Sequence, residues 1–158
     1  SAALQGGSAD AGIIVEPLTS GYLAANPTAA AVDQPTEITT RTSFVIATAE
    51  TLDDPARTAA LADYVSRLVR AFSYLRDNPD LVAQSVYVDQ YGLTPERAAE
   101  LAEVQGVASF IDLPGDVLEQ QQVLADLFLE AGQIPAPLDV TAEFDGRFND
   151  LVQEVQGG

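Results

Sequence analysis

The chain has no histidine and no cysteine. An imidazole proton shuttle, a thiolate nucleophile and the usual zinc ligands are therefore missing, which leaves carboxylates, hydroxyls, tyrosines and seven arginines to do any chemistry. Glu16 is the first candidate. It follows the apolar, β-branched run 11–15 and precedes Pro17, and open α/β sheets bind ligands at the carboxyl ends of their strands. A carboxylate there would accept hydrogen bonds from a ligand amine, an amide or an ordered water. Its alternative role is to cap the short helix behind it. Arg41 stands beside Thr39, Thr40 and Thr42, and a guanidinium fork with hydroxyls around it suits an oxyanion such as a sulfonate or nitrate. The competing reading is an ordinary ion-paired arginine near a hinge. Tyr22 either stacks on a ligand or packs its own helix.

The remaining charged residues have plainer explanations. Asp53 and Asp54 stand where a helix begins, Glu100 and Glu103 share an exposed helix face, and Arg67 and Arg70 lie off the apolar stripe of theirs. None of these carboxylate pairs has a neighbour that would mark a catalytic dyad.

Two strands are expected to position the candidates. Residues 11–15 read as a buried parallel strand ended by Glu16-Pro17, after a turn at Gly6-Gly7 whose geometry Asp10 would hold. Residues 42–48 alternate Phe44 and Ile46 with Val45 and Ala47, apolar on both faces, as a central strand would be. Weaker strands are expected at 29–33 and 107–112. Helices account for the rest. A short one follows Pro17 and ends before Asn26-Pro27. Asp54-Pro55 opens a long one with Leu61, Tyr64, Val65, Leu68, Phe72 and Leu75 on a core stripe. Asn78-Pro79 separates it from the next, which Gly92 stops; Thr94-Pro95 starts another that closes at Gly106. A helix from about Asp116 is expected to turn Leu124, Leu127 and Phe128 inward, and a last one to bury Phe144, Phe148, Leu151, Val152 and Val155.

Composition removes several classes of function. A net charge of -17 argues against a nucleic-acid or anionic-membrane surface. Hydrophobic residues make up 47%, enough to rule out wholesale disorder, yet no run approaches a membrane span of about 18 apolar residues. No metal site and no cofactor motif is evident.

The segment AALQGGSADAGIIVEP at 2–17 resembles the late part of extracytoplasmic solute-binding proteins of the sulfonate, nitrate and taurine type. TSFVIATAETL at 42–52 is similar to the strand by which such proteins return to their first lobe, and DVLEQQQVLADLFLEAGQIPAPLDV at 116–140 is similar to their C-terminal helix and tail. Val15 stands where these proteins often carry a tryptophan, so the resemblance places it at the cleft. The implied fold is α/β, periplasmic-binding-protein type II-like and partial. Residues 1–17 would end the second lobe and form the hinge strand; residues 18–158 would return to the first lobe through strand 42–48 and finish in helices. Two strands cannot cover their own edges, so the N-terminal half of the same protein is expected to supply the others.

The implied function is capture of a small organic or anionic solute, outside the cytoplasmic membrane or lipid-anchored there, for delivery to an ABC transporter permease. Ligand-binding residues would be Glu16, Arg41, Thr40, Thr42, Val15 and Tyr22, with no catalysis and no metal. Two alternatives come from other classes. One is an enzyme on the same fold, of the thiamine-pyrimidine or menaquinone-pathway type. The other is a helical interaction module built from residues 55–155, which would fold with both strands deleted.

Overall fold

The computed structural model of the chain describes residues 2–33 and 42–157. Among these there is no β-strand, and all regular structure is helical. The α/β, periplasmic-binding-protein type II-like fold is overturned by this, and all four expected strands go with it. Residues 11–15, 29–33, 42–48 and 107–112 have no regular structure. A strand exists only where a neighbour meets its donors and acceptors. Among the described residues these runs have no such neighbour, and their side chains are open to solvent: Ile13 is 93% exposed and Ile46 88%. β-Branched composition expresses a fit to a half-buried pleated surface, and without the surface it fixes nothing.

The chain divides into two compact units, residues 1–35 with 75–107, and residues 36–74 with 108–158. The first unit begins with α1 (Ala2–Gln5) and a turn at Gly6-Gly7, where Gly7 has φ 67°. The Ser8 hydroxyl donates to the Ala3 carbonyl at 3.2 Å, closing the turn in the role expected of Asp10. Helix α2 (Leu18–Ala25) follows Pro17 and ends at Asn26, as the following proline requires. Helix α5 (Pro79–Val82) runs into a π-helical turn, Ala83–Val88, and the chain reverses at Gly92, φ 69°. Helix α6 (Pro95–Gln105) starts with the Thr94 hydroxyl accepting from the Arg97 amide and with Pro95 in its first turn; Gly106, φ 61°, ends it. Val82, Ala83 and Tyr87 pack with Ala98, Leu101 and Ala102, whose i, i+3, i+4 spacing makes one buried face.

The second unit holds α3 (Ala49–Asp53), capped by Thr48, and most of α4 (Pro55–Asp77). The Asp54 carboxylate accepts from the amides of Ala56 and Arg57 at 2.8 and 3.0 Å, satisfying donors that no helical carbonyl can reach. Val65 and Val69 of α4 form the core with Val152 of α8 (Asn149–Gly157), and Leu61, Phe110, Phe148, Leu151 and Val155 close around them. Phe110 meets Phe72 edge-on at 5.6 Å. The buried face of α4 keeps most of the stripe read in the sequence, with Leu61, Val65 and Phe72 turned inward, but is centred further toward Ser66 and Val69. Val69 and Ser66 are buried, Leu68 is half-buried and Tyr64 is exposed. Phe144 also leaves its expected face: it lies outside α8 and stacks edge-on against Phe44 at 5.8 Å.

Helix α7 (Val117–Glu130) departs furthest from expectation. It buries Val117 and Ala125, with Leu118 and Leu129 half-buried, and leaves Leu124, Leu127 and Phe128 exposed. Its partner is the short 3-10 turn Val140–Glu143, held by Gln122, which accepts from the Val140 amide at 3.2 Å and donates to the Leu138 carbonyl at 2.9 Å. One small turn can cover only one side of a fourteen-residue helix.

Candidate functional site

Glu16 is held at the start of α2, in the first unit. Its carboxylate accepts from the Ser20 amide at 3.1 Å, the cap that the plainer sequence reading assigns to it. Thr19 secures the same entry by donating from its hydroxyl to the Ile14 carbonyl at 2.9 Å. The buried Ser20 hydroxyl accepts from the Arg97 guanidinium at 2.8 Å, which ties α2 to α6 across 77 positions of sequence. Arg97 also pairs with Glu100 at 2.7 Å. Burial raises the Tyr87 phenol above its ordinary pKa, and the nearby negative charge of Glu16 adds to the effect. Arg97 is held still more firmly protonated, by Glu100 first and by Glu16 in lesser measure. No local sequence signal connects Tyr87 and Arg97 to Glu16 and Ser20, because that proximity is set by packing alone.

A cavity of about 220 Å³ lies beside this group, lined by Gln5, Pro17, Leu18, Gly21, Tyr22, Tyr91 and Leu93. Of the expected ligand-binding residues, Tyr22 lines it. Glu16 is half-buried and precedes the lining residue Pro17, and Val15 is 69% exposed. Thr42 belongs to the second unit, while Thr40 and Arg41 lie outside the described residues. The cavity is smaller than the roughly 300 to 1,000 Å³ typical of small-molecule sites.

Ser20 has its oxygen engaged by a cation, where a nucleophile needs a base. Among the described residues, no three Asp or Glu gather to hold a metal ion. A second hollow, at the start of α4, is lined by Glu50, Asp53, Asp54, Pro55 and Arg57. Within it, Asp54 caps the helix and Arg57 pairs with Glu50 at 2.7 Å.

Among the described residues, the outer face of α7 carries a cluster of exposed large apolar side chains on a regular helix. Val123, Leu124, Leu127 and Phe128 are 55%, 39%, 52% and 46% exposed. Val123 and Leu127 are four apart, as are Leu124 and Phe128, so the four make one apolar stripe. Glu119, Asp126 and Glu130, all exposed, run along the Val123 side of it. Helical periodicity picks out Leu124, Leu127 and Phe128 and points them to the core; it marks an apolar face without saying what covers it.

No protein-family model, no curated protein and no solved structure matches the chain. Among the described residues, no helix is long and apolar enough to cross a membrane.

Proposed function

We propose that the chain is a helical interaction module that binds another protein through the exposed stripe of α7 and performs no covalent chemistry. The carrying observation is that four adjacent large apolar side chains stay in water on a well-formed helix. A single exposed leucine is ordinary on a protein surface, whereas a contiguous, polar-rimmed patch is characteristic of an interaction site. An amphipathic helix laid against such a stripe would bury it by the spacing that helices commonly use for recognition.

Selection from a helical peptide library tests this reading. Peptides enriched on the intact chain should carry apolar residues at i, i+3, i+4 and i+7. Leu127→Asp should abolish their binding while leaving the circular dichroism spectrum and melting curve unchanged, because Leu127 contributes little to the core. Absence of enrichment, or enrichment indifferent to that substitution, would refute it.

A second reading, binding of a small solute for delivery to a transporter outside the cytoplasmic membrane, rests on the sequence resemblance and is favoured by one observation. Tyr22 and Tyr91 both line the cavity next to the segment that carries Glu16. Calorimetry with taurine, nitrate and a pyrimidine should then show heat that Tyr22→Ala removes; no heat with any of them ends this reading.

A further inference from the structure

We infer that the occupant of the α7 stripe is an amphipathic helix with basic flanks. This rests on reading the chain as an interaction module and adds the chemistry of its partner.

The stripe is asymmetric. Side chains at 117, 118, 125 and 129 face the packed side of α7, and the opposite border is a line of acids: Glu119, Asp126 and Glu130. Glu119 lies four positions before Val123, Val123 three before Asp126, and Leu127 three before Glu130, so each acid stands beside an apolar anchor. The ion pairs Arg57–Glu50, Arg67–Asp63, Arg97–Glu100 and Arg147–Asp145 lie elsewhere. Asp126 accepts from the neutral Gln122 amide at 2.9 Å, which leaves its charge in place. The border therefore presents negative charge on a chain whose net charge is -17.

A helix that covers the apolar residues must bring its own flank against that border. Lysine or arginine there is attracted; aspartate or glutamate is repelled, and the effect falls chiefly on association rate and specificity. The same argument disfavours a second copy of this chain. Two α7 helices related by a two-fold axis and packed antiparallel would set both acidic lines on one side of the seam, between two strongly negative molecules. Four part-exposed side chains also make a small contact, in the size range of weak and transient association.

Three fluorescent peptides of about 20 residues, long enough to hold a helix alone, provide the probe. They share one leucine face and differ only in flanks of lysine, glutamine or glutamate. The lysine peptide should bind the intact chain about tenfold more tightly than the glutamine peptide at low salt, and the glutamate peptide least. That preference should vanish near 1 M salt, where the screening length falls to about 3 Å. The triple variant Glu119→Gln, Asp126→Asn, Glu130→Gln should lose the preference and keep its affinity for the glutamine peptide. Equal binding of all three peptides, abolished by Leu127→Asp, would overturn the basic-partner inference and leave the interaction module standing. If no peptide binds, or Leu127→Asp changes nothing, both fall. Dimerisation in the ultracentrifuge that Leu127→Asp reverses would identify a second copy as the occupant. Leu127-dependent binding to phosphatidylcholine vesicles, with no peptide bound, would identify a lipid surface. Either result overturns the proposal.

Discussion

Val69 has no exposed surface, while its neighbour Leu68 is half-buried and Tyr64 is 51% exposed. Truncating Val69 removes fully buried methyl groups and leaves a void in the core it shares with Val65 and Val152, so Val69→Ala should cost about 1.5 to 3 kcal/mol. Leu68→Ala should cost less and Tyr64→Ala close to nothing, an order that urea titrations of the three variants will check. The apolar pattern identifies the helix and Val65 but favours Leu68, because a stripe of leucines and aromatics outweighs the lone Val69 by count. Asp145 offers a test with pH. The Arg147 side chain, then its backbone amide, holds this carboxyl below its ordinary value of 3.8. A depressed pKa contributes stability that is present above 3.8 and lost as pH falls through the lower folded value. Asp145→Asn should therefore melt earlier than the parent at pH 7, and the two melting temperatures should converge below the ordinary value. Both side chains are about a third exposed, so solvent screening keeps the difference small. A gap that persists unchanged into acid would assign the loss to something other than this charge.

Elements are secured here by a few side chains that satisfy loop backbone. Asn149, at the start of α8, accepts from the Leu113 amide at 3.1 Å and donates to the Leu113 carbonyl at 2.7 Å. Asn149→Ala would leave both groups part-buried and unpaired, and should cost about 1 to 3 kcal/mol. Gly146 is required by the same arrangement. A Cβ there would stand 2.8 Å from the Leu113 carbonyl oxygen and 3.0 Å from the Asn149 amide nitrogen. Gly146→Ala should consequently weaken hydrogen-exchange protection in α8 as Asn149→Ala does, and the double variant should be less than additive. Full additivity would show that the glycine serves another purpose. Helix boundaries are legible in the sequence because their determinants are local. Asp54 before Pro55, Thr94 before Pro95 and Gly106 after Gln105 act within a turn of where they sit. The Asn149–Leu113 pair spans 36 positions, and no local pattern announces it.

Charge acts on the whole molecule, while packing acts within each core. Each core is small: one is built from Val82, Ala83, Tyr87, Ala98, Leu101 and Ala102, the other from Val65, Val69 and Val152. A net charge of -17 acts against both by self-repulsion. Raising ionic strength from about 0.01 to 0.15 M shortens the screening length from about 30 to about 8 Å, so the melting temperature should rise over this range. A fall would mean that the surface ion pairs outweigh the repulsion.

The longer helices, their main stops and caps and the charge follow from the residues alone, since propensity, capping and net charge are properties of short stretches or of composition, whereas α3, the π-helical turn and the turn at Val140–Glu143 are not legible there. The absence of histidine and cysteine narrows the chemistry in the same way. Packing decides the rest. Runs 11–15 and 42–48 have strand-like composition, yet a strand is a relation between two segments, and among the described residues neither run has a partner. Glu16 is a helix cap bonded to Ser20 because Pro17 leads into α2 and no sheet edge forms there. In the sequence, the apolar residues of α7 suit core and surface equally. Among the described residues, the small turn at Val140–Glu143 covers one side of that helix, and Leu124, Leu127 and Phe128 face water.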